Sequence, residues 1–296
     1  MNFRTDLAIE SKEMLDEESK EKIEISGVEV DEDQISEGVK VTRIKITDEN
    51  GSRAMGKPIG TYITIEVKDL VDGEEERKAE AAKALTEELS KLIKFHEKLK
   101  VLVIGLGNEQ VTPDSLGPKT VSKVKVTRHM FLLTGADHDS DYGCVSALIP
   151  GVMYTTGMET AEIIKGAVKI AKPEVVVAVD ALAARNVDRI STTIQITDTG
   201  ISPGAGTGNM RKDLTEKSLG TRVVAIGVPT VIDSGTLILD TLSGFLTDPQ
   251  GAQQHIQKNG HNMIVTTSDI DQVIMDFSEV ISIGINSTLH PGIYSS

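Results

Sequence analysis

The chain has one cysteine, no tryptophan and 3% aromatic residues among 296. A single thiol, Cys144, excludes an internal disulfide framework and fits a reducing compartment. With so few aromatic rings there is little from which to build base-stacking platforms. Positive charge is also in deficit: 31 Lys and Arg stand against 45 Asp and Glu, a net charge of -14. Such a surface repels phosphate backbones and attracts basic proteins, so direct nucleic-acid binding is not expected. Met1 to Glu10 carries acidic residues and no apolar stretch of signal-peptide length, and nothing in the chain reads as a membrane protein; the expected location is the cytoplasm.

What is present is a large apolar complement, 39% of residues, enough for one large domain or two small ones. Residues 1 to 70 read as β-rich. Val39 and Val41, then Ile44 and Ile46, alternate with a phase shift of one, and Thr61, Ile63, Ile65 and Val67 alternate cleanly, which predicts two paired strands. Leu85, Leu89, Leu92, Ile93 and His96 recur at helical spacing behind the acidic start Glu74-Glu75-Glu76, predicting a helix within 72 to 99. From Val101 onward the pattern is strand, loop, helix, repeated: Val101 to Ile104, Val145 to Ile149, Val175 to Val179, Ile194 to Ile196 and Val223 to Val228 are short β-branched runs, with helical candidates such as Thr160 to Ile170 between them. This is a three-layer α/β reading. Asp248 to Gly260 is polar and turn-rich and reads as an insertion or lid; from Ile264 a last strand-like start leads into a helix through Ile281.

Several motifs fail on their spacing. His96-Glu97 opens like a zinc-protease helix motif, but Lys100 stands where the second histidine belongs. Asp137, Asp139 and Asp141 open like a calcium loop, yet Gly143 is one position late and Leu148 replaces the closing glutamate, so a solvated acidic loop is expected. There is no Gly-x-Ser-x-Gly elbow, and Cys144 leads into an apolar run as a buried small hydrophobe. Gly105-Leu106-Gly107-Asn108 has Gln110 in place of a third glycine and reads as a tight strand-to-loop turn. Pro203 to Asn209, holding Gly204, Gly206 and Gly208 and followed by Arg211 and Lys212, reads either as an anion-binding loop or as a flap over a substrate-binding site. No cofactor or metal is called from these residues.

Two aspartates remain as candidates for paired acid/base chemistry. Asp180 follows five apolar residues, so it is expected at the rim of a buried strand, where desolvation raises a carboxyl pKa. Asp114 follows Pro113 and precedes a possible helix; it reads either as a helix N-cap or as the second member of an acid and base pair.

These residues fall in stretches that closely resemble, over nearly the full length, the germination proteases of spore-forming bacteria. The stretches are Arg4-Thr5-Asp6-Leu7-Ala8, Gly105 to Pro118, Val126-Thr127-Arg128-His129, Pro150-Gly151-Val152-Met153, Asp180-Ala181-Leu182-Ala183, Gln195 to Gly200, Gly227-Val228-Pro229-Thr230 and Leu289-His290-Pro291. The resemblance implies an atypical aspartic endopeptidase acting on small acid-soluble spore proteins in the forespore and spore core. It implies an α/β/α core like that of hydrogenase maturation endopeptidases, with an additional N-terminal β-rich region, and a homotetramer. Asp114 and Asp180 carry over as the catalytic pair. The likeness to the hydrogenase enzymes, which grip a metal with acidic residues, keeps a metal-assisted reading open; a non-catalytic binding protein for basic spore proteins is the other alternative.

The resemblance further implies a self-processing zymogen. The family's substrates are cut within a motif like Thr-Glu-Phe-Ala-Ser-Glu, after the first acidic residue, and Thr5-Asp6-Leu7-Ala8-Ile9-Glu10 follows the same pattern. Self-cleavage is therefore expected between Asp6 and Leu7, giving a pro-segment of residues 1 to 6 and a single peptidase domain from 7 to 296, β-rich over 7 to 70 and α/β over 101 to 296.

Overall fold

The computed structural model describes residues 5–19, 24–70, 75–134, 142–204, 211–259 and 263–294. Among them nine strands form one mixed sheet: β1 (Val28–Ser36), β2 (Val39–Ile46), β3 (Gly60–Val67), β4 (Lys100–Gly105), β5 (Cys144–Leu148), β6 (Val175–Ala184), β7 (Thr193–Thr197), β8 (Arg222–Asp233) and β9 (Ile264–Val265). The order is β1-β2-β3-β7-β8-β6-β4-β5, with β9 also on β8. Strands β8, β6, β4 and β5 are parallel; β1, β2, β3 and β7 extend the sheet antiparallel from β8.

Helices cover both faces. On one, Leu85 and Leu89 of helix Glu75–Leu92 and Phe277, Val280 and Ile281 of helix Ile270–Leu289 bury Val103, Val177, Val179 and Ile226. On the other, Ala161 and Ile164 of helix Thr160–Ala171 pack on Leu102, Ile104, Val176 and Ala178. This is the three-layer core, and the central parallel strands are apolar on both faces because both are covered.

The phase shift in β2 has the same cause. Its pairing with β3 runs without a break from Val39 to Ile46. Val39 and Val41 face the Glu75–Leu92 side, whereas Ile44 and Ile46 join Leu7, Ala8 and Ile9 at the start of helix Ala8–Ser19 on the opposite side. Two half-covered stretches follow each other in one strand. The N-terminal stretch is thus not purely β: it opens with a helix packed on the sheet.

Other expectations also need correction. Asp180 does not close its strand; β6 runs on to Ala184 because the long neighbour β8 continues to pair with it. Residues 248 to 259 are not turn-rich but form helix Pro249–Asn259, whose first turn is capped by the Asp248 carboxylate accepting from Gly251 N at 2.9 Å. Asp137, Asp139 and Asp141 lie outside the described residues. Cys144 is buried as expected, and His96 is an exposed partner of Glu174 at 3.1 Å.

One short helix, Leu116–Val121, is pressed onto the sheet backbone. A side chain on Gly117 would meet Leu106 O at 2.3 Å and Val179 O at 2.5 Å, and neither backbone atom can yield without moving β4 or β6. Gly117→Ala is therefore expected to lower unfolding free energy by about 1–3 kcal/mol in urea titration; a change below roughly 0.5 kcal/mol, the range of an ordinary surface substitution, would refute this packing constraint.

Candidate active site

The loop after β4 carries Asp114. Gly107 turns it with φ 106°, a conformation that disfavours a side chain, and a Cβ there would lie 2.0 Å from Asp114 O. The segment then closes in a single 3-10 turn, Thr112–Asp114. Thr230 of β8 donates its hydroxyl to Pro113 O at 2.8 Å and so ties the loop to the sheet. Asp114 does not cap the helix that follows. Its Oδ2 accepts from Asn108 N at 2.8 Å, back within its own loop. Burial raises its pKa and that hydrogen bond partly offsets the rise.

Asp180 lies within β6, 4% exposed, on the face opposite the Val177 and Val179 side chains. Burial pushes its pKa well up, the negative charge of Asp114 adds to the rise, Asp6 adds further, and the Ala181 N–H bonded to Oδ1 at 2.9 Å opposes it. Two carboxyl groups that feel each other in a desolvated place favour holding one proton between them.

Both aspartates line a cavity of about 450 Å³, with Gly151, Val152 and Met153 on one side and Thr230 and Val231 on another. Gly204 and Arg211 border it too, at the two ends of the glycine-rich loop; Gly206 and Gly208 lie outside the described residues. A second cavity, of about 430 Å³, shares Asp180, Ala181 and Gly204 with the first and is lined by Thr5, Asp6, Lys57, Gln195 and Gly227. Asp180 stands where the two meet.

The N-terminal segment forms part of the wall of that second cavity. Asp6 N donates to Ala183 O at 3.1 Å, and the Asp6 carboxylate accepts from Ala183 N at 2.9 Å. Leu7 and Ala8 are fully buried, and Glu10, also fully buried, accepts from Arg185 N and Asn186 N at 2.9 and 2.8 Å. The structure therefore brings Asp6 of the expected cleavage pair into the electrostatic reach of Asp180. Lys57, Gln195 and Thr230 are additional residues of the site. Gln195 and Thr230 fall in stretches of the family resemblance, but no spacing singles them out; Lys57 lies in a Gly/Pro connection and leaves no sequence signal.

Among the described residues, no three His, Cys, Asp or Glu side chains are grouped to hold a metal ion. None of the described helices is long and apolar enough to cross a membrane.

Fold and cleft define a class: a mixed α/β protein whose candidate site is a coupled, desolvated pair of carboxyl groups in a groove. The germination protease family model matches residues 8–254. The chain is 42% identical to a germination protease of Caldanaerobacter subterraneus subsp. tengcongensis, covering 99% of this chain and 96% of that protein. It is 40% identical to one of Clostridium tetani, over 99% and 97%, and 37% identical to one of Bacillus cytotoxicus, over 97% and 93%. The chain belongs to the germination protease family, and it is a peptidase. Among solved structures it is similar to a [NiFe] hydrogenase maturation protease, HycI, of Thermococcus kodakarensis, with a TM-score of 0.34, 14% identity and coverage of 67% of this chain and 98% of that one, a level too low to support any argument.

The raised pKa of Asp180 has a signed consequence for stability. Unfolded, the group ionises near pH 4; folded, it holds its proton to higher pH, so its contribution is lost as pH rises through the folded value. Asp180→Asn removes that loss. The variant is expected to melt above the parent at pH 8, with the gap shrinking toward pH 4. Calorimetry across that range checks it; an equal or lower Tm at every pH would refute it.

Proposed function

We propose that this peptidase is an endopeptidase of atypical aspartic type that starts the breakdown of small acid-soluble spore proteins during germination and is made as a self-processing zymogen. The observation that carries the reading is the coupled pair Asp114 and Asp180 in the groove, with Asp6 docked against the same strand. Asp180, the more buried group, keeps its proton and serves as general acid. Asp114, less buried and stabilised as an anion by Asn108 N–H, serves as general base.

In this scheme Asp114 takes a proton from water as its oxygen adds to the carbonyl carbon of the bond to be cut. The carbon–nitrogen bond then breaks, its electron pair stays on nitrogen, and that nitrogen takes the proton of Asp180. One water is consumed, leaving a carboxyl group and an amine. The groove floor offers strand backbone at Ala181 and Ala183, suited to an extended peptide. A net charge of -14 favours encounter with basic substrates.

Self-processing at Asp6–Leu7 is supported by where burial begins: Thr5 and Asp6 are half-buried, Leu7 and Ala8 fully buried. The enzyme acts in the forespore and spore core, with residues 1 to 6 as pro-segment and the remainder as one peptidase domain. Exposed apolar side chains such as Tyr154, Leu133 and Phe245 offer surface for the contacts of a homotetramer.

Mass spectrometry of a peptide containing Thr-Glu-Phe-Ala-Ser-Glu, incubated with the chain starting at Leu7, tests the reading. Cleavage after the first Glu is expected in the presence of chelator. Asp114→Asn and Asp180→Asn should each lower the rate about a thousandfold, roughly 4 kcal/mol of transition-state stabilisation. An intact peptide, or cleavage only after metal is added, would sink the metal-free dyad.

The pH dependence follows from the same pair. Activity needs Asp180 protonated and Asp114 ionised, and the raised Asp180 pKa carries the first condition above the ordinary carboxylate range. Processing of the full chain should therefore be faster at about pH 5.5 than at about pH 7.5. Equal rates at both values, with the protein folded throughout, would contradict the shared-proton pair.

A further inference from the structure

We infer that Lys57 and Gln195 form the clamp that polarises the carbonyl of the bond to be cut, first that of Asp6 in this chain and then that of an acidic residue in a protein substrate. This rests on the endopeptidase reading above. It assigns a role to two residues outside the aspartate pair.

The Asp6 carbonyl oxygen accepts from Lys57 Nζ at 3.0 Å and from Gln195 Nε2 at 3.1 Å. The donors come from separate elements, the turn before β3 and the middle of β7, and they converge on one backbone oxygen. Gln195 also accepts from Ala8 N through Oε1 at 2.7 Å. One amide side chain thus grips the chain on both sides of the Asp6–Leu7 bond, and its two partners fix which end is oxygen and which nitrogen. Leu7 N is held by Thr5 Oγ1 at 3.0 Å, so the bond is restrained from every side.

Sheet register places this clamp opposite the acid. Gln195 pairs with Gly227, and Gly227 pairs with Asp180. Directly paired residues project to the same face, so Gln195 and Asp180 stand in one row, about 10 Å apart across two strand spacings. The residue between them has no side chain. In that row Asp180 lines the same cavity as Lys57 and Gln195, while the Leu182 side chain lies over Gly227.

Lys57 is half-buried. Burial lowers its pKa, and the carboxylates of Asp6 and Glu10 pull it back up. A partly desolvated ammonium at hydrogen-bond distance acts on developing oxyanion charge more strongly than a fully exposed one. When water adds to the Asp6 carbon, the charge that develops on that oxygen is shared by Lys57 and Gln195; it returns as the carbon–nitrogen bond breaks, and the Leu7 nitrogen takes the proton of Asp180.

The test uses Lys57→Met, Lys57→Arg and Gln195→Leu, each in the full chain and in the chain starting at Leu7. Intact-mass kinetics follow loss of residues 1 to 6, and peptide assays give kcat and KM on the Thr-Glu-Phe-Ala-Ser-Glu substrate. Lys57→Met and Gln195→Leu should each lower kcat about 10²–10³-fold in both assays while KM changes less than about threefold. Lys57→Arg, which keeps a cationic donor, should recover part of the loss, so a folding defect in Lys57→Met cannot imitate the result. Undiminished kcat in Lys57→Met and Gln195→Leu, with only KM or Tm altered, overturns the clamp alone. No cleavage by the unaltered protein overturns the endopeptidase reading and the clamp with it.

Discussion

Asp180 is a carboxyl group in a strand whose preceding residues are valine and alanine, and the site is organised around the cost of keeping it there. Leu182 and Ala184 further along its own face help leave it only 4% exposed. An ionised carboxylate in such a place is expensive, so the group holds its proton. The hydrogen bond that it accepts from the adjacent Ala181 N–H is too little to reverse that preference. The neighbour that shares the problem is Asp114. It is positioned by a loop that exists because Gly107 tolerates positive φ and because helix Leu116–Val121 can lie directly on strand backbone at Gly117. Two glycines thus set where one carboxyl meets the other.

This explains what could be read from the chain and what could not. The strand runs Val101 to Ile104, Val175 to Val179 and Val223 to Val228 were legible because parallel central strands are apolar on both faces and stand out as short continuous runs. Asp180 was legible as a charge ending such a run. The length of β6 was not: Ala181 to Ala184 carry little β-propensity, and only pairing with β8 keeps them extended. The Pro249–Asn259 helix was hidden by its polar composition, since its first turn depends on an aspartate cap rather than an apolar stripe. The helix Ala8–Ser19 was hidden for a related reason. Its first residues bury Leu7, Ala8 and Ile9 in a layer made by Ile44, Ile46 and Tyr62, residues far along the chain.

The two cavities are legible only in three dimensions. Lys57 and Gln195 are 138 positions apart in sequence order and meet on Asp6 because β3 and β7 are adjacent in the sheet. No local pattern encodes that. Gly227 is equally silent, for a glycine in a strand run signals a bulge or a close approach without saying what approaches. Here the near contact is Leu182 of the neighbouring strand, within 3 Å of any added Cβ.

The polarity of the N-terminal contacts bears on what cleavage would release. Upstream of the Asp6–Leu7 bond, Thr5 and Asp6 are held by hydrogen bonds that leave both half-exposed. Downstream, Leu7 and Ala8 are fully enclosed by the apolar layer under β2 and β3. Fully burying a leucine side chain is worth about 1.5–3 kcal/mol, whereas a typical hydrogen bond adds about 1 kcal/mol net and is readily replaced by water. Severing the bond would therefore free the upstream side from its covalent tether while the downstream side stays packed. The buried Glu10 strengthens that asymmetry, because its two backbone N–H partners at Arg185 and Asn186 hold the new terminus to the end of β6. What departs is the part of the chain beside Asp180 that lies against Lys57 and Gln195.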